Sequence, residues 1–123
     1  MKEIKYIFFS LVTLIAASSA AFGSEILKLP ATVVGNNYGF TEGPVWVDHK
    51  GLWLFTDIPM NKIYSLDTDG TAKVWMEDSG FANGLGIDQD NNIWIAHHCR
   101  KVSRTAPNGK NIVAASRYNG KKL

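Results

Sequence analysis

The chain has 123 residues, a formal charge of +2 and 46% hydrophobic residues, which excludes a disordered or collagen-like chain and leaves room for about one small domain. Four tryptophans and six phenylalanines require a packed interior, and a single cysteine excludes an internal disulfide.

Lys2 and Lys5 precede an apolar run from Tyr6 to Ala17, and the small residues Ser18, Ser19, Ala20 and Ala21 follow it. This is the outline of a secretory signal peptide. Residues 1–23 are assigned to it, and cleavage after Gly23 or after Ala20 fits the small-residue rule. The run falls well short of the roughly 20 apolar residues that span a bilayer, so no stable membrane anchor is expected. The expected product is a periplasmic or secreted chain, 24–123, of about 100 residues. In that oxidising setting the lone Cys99 reads as a small buried hydrophobe or a thiol seeking a partner.

Ten acidic residues and four lysines lie between Ser24 and Cys99, against seven basic and no acidic residues from Arg100 onward. No arginine-rich run or base-stacking aromatic pattern accompanies the basic stretch. It reads as a solvated face, and no nucleic-acid partner is expected.

The chain repeats itself with an offset of 39 to 41 residues. Glu42-Gly43 matches Asn83-Gly84, and Gly51-Leu52-Trp53-Leu54-Phe55 matches Asn92-Ile93-Trp94-Ile95-Ala96. Lys62-Ile63-Tyr64 matches Lys101-Val102-Ser103, Asp69-Gly70 matches Asn108-Gly109, and Val74 matches Val113. Within each unit short β-prone runs alternate with turn residues, predicting strands at 44–48, 52–57, 62–66 and 72–76, then at 84–88, 93–97, 101–105 and 111–116. Asp69-Gly70 and Asn108-Gly109 are hairpin signals, because a tight turn needs the positive φ that glycine and asparagine tolerate.

Four strands in a repeat of about 40 residues is the arithmetic of a β-propeller blade. The fold class is therefore all-β, a β-propeller with about two four-stranded blades present. Two blades cannot close a ring, which needs roughly four to eight, so the pair is expected to leave two apolar faces open. Those faces predict self-association or further blades.

In a radial repeat, equivalent positions converge on one axis, and Glu42 and Asn83 are equivalent. A carboxylate and an amide there are either ordinary turn residues beside glycine or oxygen ligands for a hard divalent cation. The acidic strings Asp67-Thr68-Asp69-Gly70 and Asp88-Gln89-Asp90-Asn91-Asn92 fail the calcium-loop register and read as turns. His97, His98 and Cys99 cannot all meet one zinc ion, since adjacent strand residues point to opposite faces. Alternation puts Trp94, Ala96 and His98 on one face and Ile93, Ile95 and His97 on the other. It leaves open which histidine packs and which borders the channel. No phosphate cradle, G-x-S-x-G elbow or H-E-x-x-H helix occurs in the sequence.

Four strings carry a resemblance: Phe40-Thr41-Glu42-Gly43-Pro44-Val45-Trp46, Phe55-Thr56-Asp57-Ile58-Pro59, Ala82-Asn83-Gly84-Leu85 and the stretch from Arg117 to Leu123. In this order and spacing they resemble the amino-terminal third of the senescence-marker-protein, or regucalcin-like, gluconolactonases. The resemblance implies a six-bladed propeller with one divalent metal in its channel, calcium first, with zinc or manganese as alternatives. It implies hydrolysis of a small-molecule sugar lactone to an aldonic acid. Glu42 matches a metal-ligating glutamate, Asn83 matches a substrate-contacting asparagine, and His98 matches a histidine neighbouring the substrate. The remaining ligands and the general base would follow Leu123, so the chain by itself is expected to be inactive. Phe81, where animal members carry arginine, and His97, where many bacterial members carry glutamate before the histidine, depart from the pattern. Sugar specificity therefore does not carry over. The alternatives are a non-catalytic propeller binding module and a chain that assembles copies of itself into a ring.

Overall fold

The computed structural model describes residues 33–123. The predicted signal peptide lies outside the described residues. Ten strands form among the described residues: β1 (Thr41–Val47), β2 (Leu52–Asp57), β3 (Lys62–Asp67), β4 (Ala72–Met76), β5 (Ala82–Ile87), β6 (Ile93–His97), β7 (Lys101–Thr105), β8 (Asn111–Ala115), β9 (Arg117–Tyr118) and β10 (Lys121–Lys122). The first four make one antiparallel sheet in the order β1-β2-β3-β4, the next four a second sheet in the order β5-β6-β7-β8. These are two propeller blades, one per sequence repeat. The predicted strands match to within three residues, because each ends where a turn residue stops the ladder. Among the described residues no helix is long and apolar enough to cross a membrane.

The hairpin glycines act as expected, but in a longer turn. Gly70 (φ 86°) and Gly109 (φ 85°) are left-handed, while Asp69 and Asn108 are not. Each loop closes with two backbone bonds, Gly70 N–H to Asp67 and Asp67 N–H to Thr71 in the first, Gly109 N–H to Ala106 and Ala106 N–H to Lys110 in the second. This is a type I turn followed by a glycine bulge, which needs one positive φ rather than two. The two-residue turn with both φ positive occurs instead at Asn119-Gly120 (φ 48° and 78°), between β9 and β10.

The repeat is staggered. Trp46 lies opposite Trp53 and Trp53 opposite Leu66, while Ile87 lies opposite Ile93 and Ile93 opposite Thr105. The offset therefore steps from 41 to 40 to 39 across the first three strands of the blades. The match of Trp53 with Trp94 read from the sequence is thus one residue out: Trp53 corresponds to Ile93, and Leu54 to Trp94. The cause is the span between the paired residues: six residues separate Trp46 from Trp53, among them the 3-10 turn Asp48–Lys50, and five separate the equivalent Ile87 from Ile93. In a strand a slip of one residue exchanges the two faces.

With the slip corrected, the stacking follows propeller logic. The face of the first sheet bearing Val47, Leu54 and Ile63 meets the face of the second bearing Ile93 and Ile95, and these form one buried core with Ala82. The opposite faces carry Trp53 and Val74 on the first sheet, and Trp94 and Ile112 on the second. All four are exposed by more than a third.

The turn before β6 is organised by one carboxylate. Asp88 accepts from the Trp94 indole N–H (2.7 Å), the Asn92 side chain (2.9 Å), and the backbone N–H groups of Asn92 and Asp90. The Trp94 bond foremost, then those from Asn92 and Asp90, outweigh desolvation and bring its pKa from an ordinary 3.8 to about 2. A carboxylate lowered on folding stabilises fully above its unfolded value, and that contribution is lost as pH falls through the folded one. The stability difference between wild type and Asp88→Asn, read from urea midpoints, is therefore expected to be constant above pH 5 and to shrink between about pH 4 and 2.

Candidate functional site

Glu42 and Asn83 sit at equivalent places, on β1 and β5, each beside a bulge in its strand. Both are half-buried. Their closeness depends on Gly43. It is left-handed (φ 52°), and a Cβ there would lie 2.5 Å from the Asn83 carbonyl oxygen and 2.9 Å from the Leu85 nitrogen. Only a residue without a side chain lets β1 approach β5 so nearly.

Asp57 fixes the approach to β1. It is fully buried and accepts from the backbone N–H groups of Gly39 (2.9 Å) and Phe40 (3.1 Å). Asn61, in the turn after β2, does the same for the approach to β5. Its side-chain oxygen accepts from Phe81 N–H (2.7 Å) and the Ser79 hydroxyl (3.3 Å), and its carbonyl accepts from Ser79 N–H (2.9 Å). The linker so held contains left-handed Asp78, Gly80 and Phe81 (φ 48°, 69° and 52°), and Phe81, the strained residue with a bulky side chain, is pinned by its bond to Asn61.

The histidines divide as alternation allowed. His97, on the core side with Ile93 and Ile95, lies 2.6 Å from the Ser79 carbonyl through Nδ1 and 2.8 Å from the Ser103 hydroxyl through Nε2. A carbonyl only accepts, so Nδ1 carries the proton and Nε2 accepts from Ser103. Burial pushes the His97 pKa below the usual histidine range, with Lys101 adding to that and the Ser79 bond opposing it. The folded state thus holds fewer protons than the unfolded chain, and stability is expected to fall as pH drops below about 6.5. Urea midpoints at pH 7.5 and 5 should show this loss in wild type and not in His97→Gln.

His98 follows the end of β6, is exposed, and places Nε2 3.0 Å from the Asn83 amide nitrogen. The structure therefore brings two of the candidate residues into contact. Cys99 in the same turn is exposed rather than buried, correcting one expectation, because the β6–β7 connection leaves the core face at His97.

Among the described residues no ion pair or side-chain hydrogen bond engages the Glu42 carboxylate, and no cluster of three or more histidine, cysteine, aspartate or glutamate residues is present. A free carboxylate and a nearby amide are hard oxygen donors, which suit calcium, magnesium or manganese better than a thiophilic metal. Both residues are candidates already in the sequence. Sequence alone does not mark Asp57, Asn61 or Thr56, a buried threonine whose hydroxyl lies 3.0 Å from the main-chain oxygens of both Glu42 and Asn83.

An all-β stack of propeller blades with an acidic and an amide side chain at one edge is the class of protein that fold and site define. No protein-family profile matches the chain. It is similar to the gluconolactonase of Zymomonas mobilis subsp. mobilis, at 27% identity over 79% of this chain and 32% of the relative. Among solved structures it is similar to an X-ray structure assigned to the gluconolactonases, with TM-score 0.70, 27% identity, and coverage of 77% of this chain and 35% of the other. The gluconolactonase of Xanthomonas campestris shares the fold, with TM-score 0.69, 24% identity, and coverage of 73% and 31%. The chain spans about a third of the length of these relatives.

Proposed function

We propose that this chain supplies two blades of a metal-dependent lactonase that hydrolyses sugar lactones to aldonic acids. The observation that carries the reading is the close approach of the main chains at Glu42 and Asn83 across two stacked blades, in a chain similar to gluconolactonases. A divalent cation, calcium by the hardness of the donors, would polarise the lactone carbonyl and lower the pKa of bound water. Glu42 would hold it through its free carboxylate. Asn83, steadied by His98, would orient the lactone through its amide. With Asn83 donating to Nε2 of a neutral ring, the amide oxygen is free to accept from a sugar hydroxyl.

Two donors do not complete a catalytic site, so the chain alone is expected to show no appreciable turnover of gluconolactone with calcium, zinc or manganese. A longer protein carrying the same two blades is expected to hydrolyse it, and Glu42→Gln to reduce kcat/KM by on the order of 100-fold or more. Metal-dependent turnover unaffected by Glu42→Gln would overturn the reading. The charged n-region, the Tyr6–Ala17 run and the small residues after it support an exported, periplasmic or secreted, enzyme. The outward faces with Trp53 and Trp94 suit further blades or further copies of this chain. Sedimentation at rising concentration distinguishes them, since copies add mass in multiples of the chain.

A further inference from the structure

Thr56 lies on β2, directly opposite Glu42 in register, and has no solvent exposure. Its hydroxyl oxygen is 3.0 Å from the Glu42 carbonyl in its own sheet and 3.0 Å from the Asn83 carbonyl in the next. A hydroxyl carries one proton, so it serves these two acceptors by sharing or alternation. We propose that Thr56 is the positioning residue of the candidate site, setting the separation of Glu42 and Asn83 by tying their main chains across the gap between the blades. The inference rests on the lactonase reading for its purpose, but not for its geometry.

Three features support the assignment. The acceptors are the carbonyls of the two residues that carry the candidate chemistry, one on each blade. The bond to Glu42 falls next to the bulge of β1, where the ladder register breaks and regular pairing no longer fixes the strand. Gly43, immediately after Glu42, runs so close to Asn83 that a Cβ there would lie 2.5 Å from the Asn83 carbonyl oxygen. Glycine allows the approach without holding it, and the threonine supplies the attraction. Valine has nearly the same shape as threonine but no donor, so it would leave both carbonyls without this partner.

The test uses the whole chain and reads carbonyl carbon chemical shifts, which report hydrogen bonding at each oxygen. In Thr56→Val the shifts of both Glu42 and Asn83 are expected to move, with their neighbours on β1 and β5, and Thr56→Ser is expected to restore both. In a longer protein with lactonase activity, Thr56→Val should lower kcat/KM by on the order of tenfold to 100-fold through misplacement of the pair, with recovery in Thr56→Ser. A change confined to Glu42, or none at either carbonyl, would overturn the tie between blades. If Thr56→Val does not fold, Thr56→Cys, of similar size with a weaker donor, is read at the same carbonyls against the same criteria. Because the spectra need no turnover, shifts at both carbonyls beside an activity indifferent to Glu42 would sink the lactonase reading and keep the tie. The converse result would do the reverse.

Discussion

Gly43→Ala is expected to destabilise the chain by roughly 3 kcal/mol, measured by urea unfolding at pH 7. Two costs add. A non-glycine residue in the left-handed region costs roughly 1–2 kcal/mol, and forcing a methyl into a close-packed contact costs about 1–3 kcal/mol. The atoms it would meet are the Asn83 carbonyl oxygen, the Leu85 nitrogen and the Gly84 Cα at 2.5, 2.9 and 3.0 Å, all main chain and none free to swing aside. Relief would come only by moving β1 away from β5, which separates Glu42 from Asn83. A destabilisation under about 1 kcal/mol would mean that the strands do not approach as described.

The second large effect is expected at Ile95. It is fully buried between the two sheets, and Ile95→Ala should cost about 3 kcal/mol through lost transfer energy and the cavity left behind. The neighbouring residue provides the contrast. Trp94 is 36% exposed on the outward face, its indole N–H bonded to Asp88 and the Arg104 guanidinium 6.0 Å above its ring. Trp94→Leu is expected to cost about 1 kcal/mol by comparison. The ordering tests the corrected register: were the blades matched as Trp53 with Trp94, Ile95 would take the place of Leu54, its face would point outward, and the costs would be reversed. Urea midpoints of the two variants decide it.

The blade count, eight of the ten strands among the described residues and the places of the two hairpins at Asp69-Gly70 and Asn108-Gly109, though not their turn type, were legible in the sequence because turn residues mark strand ends independently of packing. The phase of β6 was not. Leu52-Trp53-Leu54 and Ile93-Trp94-Ile95 align ring on ring, and strands covered on both faces lose the alternation of apolar and polar residues that would fix the phase. The one-residue difference in the preceding turn decides it, and turn length is read against a register that must already be known. The strands β9 and β10 have two residues each, too few for any periodicity. At the site, Glu42 and Asn83 were visible because repetition made them equivalent. Thr56 and Asn61 were not. Threonine is an ordinary strand residue and asparagine an ordinary turn residue, and each gains its role from a partner more than ten residues away in sequence.

Whether Glu42, beside Asn83 between the blades, receives a hard cation is tested most directly by titrating calcium into the isotopically labelled chain and following its backbone amides. Shifts should concentrate at Glu42, Gly43, Asn83 and Gly84, with an affinity on the order of 1 mM or weaker from so few donors, and vanish in Glu42→Gln. Shifts centred instead on the acidic turns at Asp67–Gly70 or Asp88–Asn92, unchanged by Glu42→Gln, would contradict a cation site between the blades.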